Sequence, residues 1–174
     1  AMQCGSSQIT DDFFQVYHSL SESIRETISG LRPAIINHGL YPALRELMEN
    51  FSERAGGKLE VIIDLPPSDV RYDSEKEVHI YRMVQQAGEN VLKHAHAKTM
   101  RLYGALEQDK VCLVIEDDGV GFPMEGRCDL TNLVANKHYG LAGMYERAAL
   151  IGGEIQIESS PKDGTKVIIH WSPQ

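Results

Sequence analysis

The sequence predicts an α+β fold in which helices are layered on one face of a mixed sheet. Two observations carry this. The periodicities run in the order helix, helix, strand, helix, strand, strand, loop, helix, strand, strand. Two of the strand pairs are joined by short polar turns, at Gln108-Asp109 and at Pro161-Lys162-Asp163-Gly164, as antiparallel neighbours require.

Residues 9–31 carry an apolar stripe at helical spacing (Phe13, Val16 or Tyr17, Leu20, Ile24, Ile28, Leu31), which Gly30 and Pro33 end. Such a stripe needs cover. Because Phe13 and Phe14 would both need it, the reading adopted is one member of a helical dimer rather than a helix folded onto its own domain. A second helix spans 40–54 (Leu44, Leu47, Met48, Phe51) and is closed by Gly56-Gly57. A strand over 58–65 stops at Pro66-Pro67. The central helix follows over 74–94, with Ser74 and Glu77 spaced as a capping box.

Strands are expected at 99–106 and 110–117. The polar stretch 118–139 shows no sustained period, and a loop of that length in a compact domain is commonly a lid or a binding loop. A short helix over 140–151 and strands at 154–158 and 165–171 complete the chain. Residues 1–32 are thus expected to form a leading helix and linker, and residues 33–174 one domain.

Composition narrows the function. A formal net charge of -8, with no lysine/arginine cluster, argues against a nucleic-acid surface. Any anionic ligand must then be held locally, by backbone N–H groups, a few cations and a divalent metal. Cys4, Cys112 and Cys128 are odd in number and widely spaced, as in a reducing compartment, so a cytoplasmic location is expected. No apolar run reaches a membrane span. Met2 follows Ala1, and the chain is read as a fragment of something longer, whose membrane segments, if any, lie elsewhere.

Three stretches can carry chemistry. Residues 85–97 lie in a longer helical pattern running from about Ser74, in which Ile80, Val84, Ala87 and Val91 make one apolar face, while Arg82, Gln86, Asn90 and His94 recur every four residues on another, with Lys93 beside them. Amides, an imidazole and cations in one row suit a metal with an anionic ligand; alone they equally suit a solvated face. In the strand 110–117, Val111, Leu113, Ile115 and Asp117 share a side, so the carboxylate of Asp117 continues an apolar face and needs a donor. The exocyclic amine of a purine is one, and Asp118-Gly119-Val120-Gly121 would let a flat ring approach; a plain Asp-Gly turn is the alternative. Gly140-Leu141-Ala142-Gly143-Met144 opens a helix, where free N–H groups and the helix dipole can seat a phosphate. The chain contains no P-loop and no G-x-G-x-x-G. The histidines and cysteines lack zinc-site spacing, a calcium loop fits poorly, and no nucleophile elbow is present, although a Ser-His-Asp arrangement stays open.

These stretches, in this order, resemble the ATP-binding domain shared by sensor histidine kinases, gyrase, Hsp90 and MutL. Residues 85–97 are similar to its N box, Asp117 to Gly121 to its first glycine box, Gly140 to Met144 to its second, and Gly164-Thr165 to its closing Gly-Thr. Lys93-His94-Ala95, the Gly-Leu-x-Gly-Met form and Leu31-Arg32-Pro33 are similar to the NarX/DesK subgroup. The resemblance implies a Bergerat-type α/β sandwich, a mixed and mostly antiparallel sheet layered with helices. It implies that Asp117 accepts the adenine amino group with Thr165 in support, and that Asn90 binds Mg. Gly119, Gly121, Gly140, Leu141, Gly143 and Met144 would line the ATP site, Lys93 and His94 would lie by the phosphates, and 118–139 would be the lid.

As a function it implies presentation of the γ-phosphoryl group of Mg-ATP to a histidine outside this fragment, within a homodimer, for relay to a response regulator. Gln86 departs from the family's usual glutamate. An amide cannot take a proton, so base chemistry there is in doubt. That leaves open a nucleotide-binding regulatory module without turnover, or a scaffold with a decayed pocket. Glu89, beside Asn90 in the sequence, is turned about 100° from it around the helix and is not expected to substitute for the missing base. His18 lacks the acidic neighbour of the subgroup's phosphoacceptor and is read as a surface histidine.

Overall fold

The computed structural model describes residues 34–123 and 139–173. The chain divides into two compact units, Ala1–Ala34 and Ile35–Gln174. The helix expected over 9–31 and residues 124–138 of the expected lid lie outside the described residues.

The second unit holds the expected elements. After a 3-10 turn at Ala34–His38 come α1 (Leu40–Ala55), β1 (Glu60–Asp64) and α2 (Ser74–Asn90). A π-helical turn, Val91–Ala95, continues α2 and leads to β2 (Thr99–Glu107) and β3 (Lys110–Asp117). α3 (Tyr139–Leu150), β4 (Glu154–Ser159) and β5 (Thr165–Trp171) follow. The sheet has the order β1-β2-β3-β5-β4, with β1 parallel to β2 and the other pairs antiparallel. A mixed, mostly antiparallel sheet was the expectation.

Strand alternation decides what lies where. Met100, Leu102, Leu106, Val111, Leu113, Ile115, Val167, Ile169 and Trp171 point to one side and are buried. They meet Leu44, Met48 and Phe51 of α1, Ile80, Met83, Val84 and Ala87 of α2, and Leu141, Met144 and Ala148 of α3 in one core. Each large side chain so buried stabilises the fold by about 2 kcal/mol. The other side of the sheet is polar: Arg101 pairs with Asp64, Lys166 with Glu116 at 3.2 Å, and the Tyr103 hydroxyl donates to Glu116 at 3.0 Å.

Gly88 explains how closely α1 approaches α2. A methyl group there would collide with the Phe51 ring, so glycine lets that ring lie against the helix backbone. One turn on, Arg54 of α1 reaches both carboxylate oxygens of Glu89.

Two expectations need correction. β1 is shorter than predicted because residues 58, 59 and 65 lie outside its ladder with β2. The capping box does not form: Asp73 is the N-cap, and the buried Glu77 carboxylate instead accepts from Arg71 Nε at 2.9 Å, from Arg71 Nη2 at 3.1 Å and from the Tyr72 N–H at 3.2 Å. With Asp73 at the N-cap, Glu77 falls one residue past the box position, and its buried charge is met by the Arg71 guanidinium together with the Tyr72 amide.

Candidate functional site

The site is organised by the end of α2. Up to Asn90 the four-residue spacing holds, and Gln86 Nε2 donates to Asn90 Oδ1 at 3.1 Å. At Val91 the ladder changes: its N–H is shared between the Ala87 and Gly88 carbonyls, and the π-helical turn begins. Such turns shift every later side chain around the axis. His94 therefore leaves the row of Arg82, Gln86 and Asn90 that a continuous α-helix implied. His94 and Lys93 are exposed, and Lys93 Nζ pairs with Glu89 at 3.1 Å. Glu89 is held below the usual carboxylate range, first by its hydrogen bond from Arg54 and then by Lys93. A carboxylate so paired is a poor base. Its sequence position beside Asn90 does not make it a substitute for a base at Gln86.

The turn ends on His96, whose φ is 51°. There the backbone reverses and meets the segment after β3. Val120 N–H donates to the Ala95 carbonyl at 2.8 Å, and a methyl group on Gly119 would collide with that same carbonyl. Asp118 secures the junction, because its Oδ1 accepts the Lys98 and Thr99 N–H groups at 2.7 and 2.8 Å. Those bonds, the one from Thr99 foremost, hold the Asp118 carboxyl below its ordinary value.

Asp117 is 6% exposed, on the covered side of the sheet, as the alternation of Val111, Leu113 and Ile115 required. Its Oδ1 accepts the Gly119 N–H at 2.8 Å. Burial pushes its carboxyl above the usual range; the Gly119 and Thr165 N–H groups oppose this only in part. Thr165 is its register partner on β5, and Ser159 is the partner of Thr165 on β4. A methyl group on Gly164 would collide with the Asp117 carbonyl, and one on Gly121 with the Ser160 carbonyl. The loop after β3 is thus clasped between the end of α2 and the β4–β5 turn.

Gly140, in the first turn of α3, closes the other side. A methyl group on it would lie 2.8 Å from Gln86 Nε2 and 3.6 Å from Asn90 Oδ1. Gly143 faces open space, while the side chains of Leu141 and Met144 are buried in the core. Any contact of these two with a ligand must come from the main chain. The structure therefore gathers Gln86, Asn90 and Gly140 at one point, and Asp117, Gly119, Gly121 and Thr165 at another. The turn Val91–Ala95 joins them.

Asp118, the Ala95 carbonyl and Ser159 were missed by sequence reasoning. Asp118 carried no signal of its partners, and nothing in residues 91–95 announces a π turn. Ser159 escaped because the strand was expected to end at 158, one residue short of the position that pairs with Thr165.

No described group of three histidine, cysteine, aspartate or glutamate side chains could hold a metal. The polar groups at the site are instead amides, backbone N–H groups, the Ser159 and Thr165 hydroxyls and one buried carboxylate. No helix among the described residues is long and apolar enough to cross a membrane.

Comparison with known proteins agrees with this geometry. Residues 75–174 match the model of the "Histidine kinase-, DNA gyrase B-, and HSP90-like ATPase" family. The nitrate/nitrite sensor protein NarX of Escherichia coli is 28% identical over 163 residues, 92% of this chain and 26% of NarX. The histidine-protein kinase/phosphatase DegS of Bacillus subtilis is 31% identical over 169 residues, 91% of this chain and 43% of DegS. The chain thus spans about a quarter to two fifths of such relatives. Among solved structures, the catalytic domain of histidine kinase ThkA superposes with a TM-score of 0.61 at 18% identity, over 76% of this chain and 92% of that one. The ATP-binding domain of PrrB from Mycobacterium tuberculosis gives 0.51 at 25% identity, over 74% and 93%. With more than half its length under the family model and the sheet, helix end and glycine contacts in place, the chain belongs to the histidine kinase-, DNA gyrase B- and HSP90-like ATPase family.

Proposed function

We propose that this chain is the ATP-binding catalytic domain of a sensor histidine kinase of the NarX-like group, handing the γ-phosphoryl group of ATP to a histidine. The observation that carries the reading is the convergence of separate glycine-bearing stretches, at Gly119 and Gly140, on the last turns of one helix. Asp117 supplies a buried acceptor for the adenine amine. The Gly140 and Gly143 backbone N–H groups, at the positive end of α3, supply the phosphate seat. Lys93 and His94, exposed at the rim, complete it. Leu141 and Met144 anchor α3 through the core and offer only backbone to the ligand.

Mg fits the donor set in a limited sense. Asn90 Oδ1 accepts one bond from Gln86 and keeps a second lone pair, and Mg is commonly held by one or two protein oxygens together with substrate phosphates. When bound there it would neutralise charge on the triphosphate. Gln86, as a hydrogen-bond donor, fixes which way the Asn90 amide turns and takes no proton. The transfer asks little more of the domain: the imidazole nitrogen attacks γ-phosphorus, ADP departs, and catalysis is positioning and charge neutralisation.

In this reading residues 1–32 are the end of a dimerisation and phosphoacceptor hairpin. The accepting histidine lies elsewhere in a homodimeric parent of cytoplasmic catalytic end, and a response regulator takes the phosphoryl group. Mixing the chain with a separately made phosphoacceptor hairpin and γ-labelled ATP should yield Mg-dependent phosphohistidine. ATP binding without any label transfer would overturn the kinase assignment.

A further inference from the structure

Ser159 has one hydroxyl proton and three polar neighbours. Its Oγ lies 2.8 Å from the Gly164 carbonyl oxygen, 2.9 Å from the Phe122 nitrogen and 3.1 Å from Thr165 Oγ1. A carbonyl only accepts, so the Ser159 proton goes to Gly164; an N–H only donates, so Ser159 accepts from Phe122. The third contact then has one polarity left: Thr165 donates its hydroxyl proton to Ser159.

The consequence falls on the neighbouring strand. With its proton turned toward β4, the Thr165 oxygen has only lone pairs to offer a ligand beside Asp117, its register partner. Side chains so paired have Cβ atoms about 5 Å apart. The site then presents two acceptors and no hydroxyl donor. That pattern suits an exocyclic –NH2, which has two hydrogens, and opposes a ring carbonyl at the same place, whose oxygen has no hydrogen to give and meets the acceptors lone pair to lone pair.

We propose that Ser159 is a positioning residue that sets the base specificity of this site, by holding the Thr165 hydroxyl as an acceptor so that 6-amino purines are taken and 6-oxo purines refused. The inference rests on the nucleotide-binding reading above and adds to it a residue that need not touch the ligand.

The test is the ratio of affinities of the 174-residue chain for Mg-ATP and Mg-ITP, the 6-oxo counterpart. Ser159→Ala frees the Thr165 hydroxyl to rotate and donate, so the ratio should fall about tenfold while Ser159→Thr restores it. A merely structural serine would weaken both nucleotides alike and leave the ratio unmoved, which overturns the proposal. Should Ser159→Ala fail to fold, Thr165→Val reads the same acceptor: the ratio must again fall about tenfold, and an unchanged ratio is equally fatal. A wild-type chain that binds neither nucleotide sinks the nucleotide reading itself. A wild type that prefers ATP, with a Ser159→Ala ratio that matches it, sinks only the role of Ser159.

Discussion

Asp117 and Thr165 stand opposite each other on the β3–β5 ladder, both on the covered side of the sheet, where the acid is 6% exposed. A buried carboxylate beside a threonine, approached by glycine on both flanks, is an arrangement that costs stability when it is ionised and empty.

The pH dependence of that cost is testable. Burial raises the folded-state pKa of Asp117 above its unfolded value near 3.9, so the folded chain holds this proton to higher pH. The stability the group contributes is therefore present below about pH 4 and lost as pH rises through the folded value. Asp117→Asn removes the titration, so the variant should gain on the wild type between pH 4 and pH 7 in denaturant midpoint. A variant that instead loses ground as pH rises would contradict the burial argument.

Gly164 has φ 75°, and a methyl group on it would strike the Asp117 carbonyl. Backbone cannot yield as a side-chain tip can. Gly164→Ala should cost about 2–4 kcal/mol of unfolding free energy. A melting temperature within about 2 °C of wild type would show that the turn moves freely.

Two residues earlier, Lys162 has φ 77° with a side chain attached. A left-handed conformation costs a non-glycine residue about 1 kcal/mol. Lys162→Gly should raise stability by about that amount, less the extra flexibility glycine gives the unfolded chain. A clear loss of stability would mean that the lysine side chain holds the turn.

Glu77 is fully buried and fixes Arg71 and Tyr72 ahead of α2. Glu77→Ala should cost about 2–3 kcal/mol while leaving nucleotide affinity of the folded chain unchanged. A selective loss of affinity would move this carboxylate from scaffold to site.

Much of this fold was legible because alternation and helical spacing speak for themselves. Val111, Leu113, Ile115 and Asp117 announced a carboxylate on a buried face, and the structure buries it. Gln86 and Asn90, four apart, announced neighbours and are hydrogen-bonded. What escaped was set by tertiary contact. The π turn after Asn90 ends with the Ala95 carbonyl against Gly119 and Val120, a contact that no local pattern encodes, and it removes His94 from the row. Glu77 is not in its predicted cap because the helix is capped at Asp73, one residue early, and Arg71 ahead of the helix pairs with the carboxylate. Asp118 stood in the sequence only as part of a glycine-bearing stretch, and its bonds to the Lys98 and Thr99 N–H groups lie about twenty residues back, at the start of β2.

The most direct measurement is calorimetric titration of Mg-ADP into the wild-type chain and into Asp117→Asn, with unfolding of both followed in parallel. The account predicts heat of binding for the wild type, and affinity at least about tenfold weaker for a variant that stays folded, as one charge-assisted hydrogen bond is worth about 1.5–3 kcal/mol. Equal affinities, or a wild type that binds nothing, would contradict it.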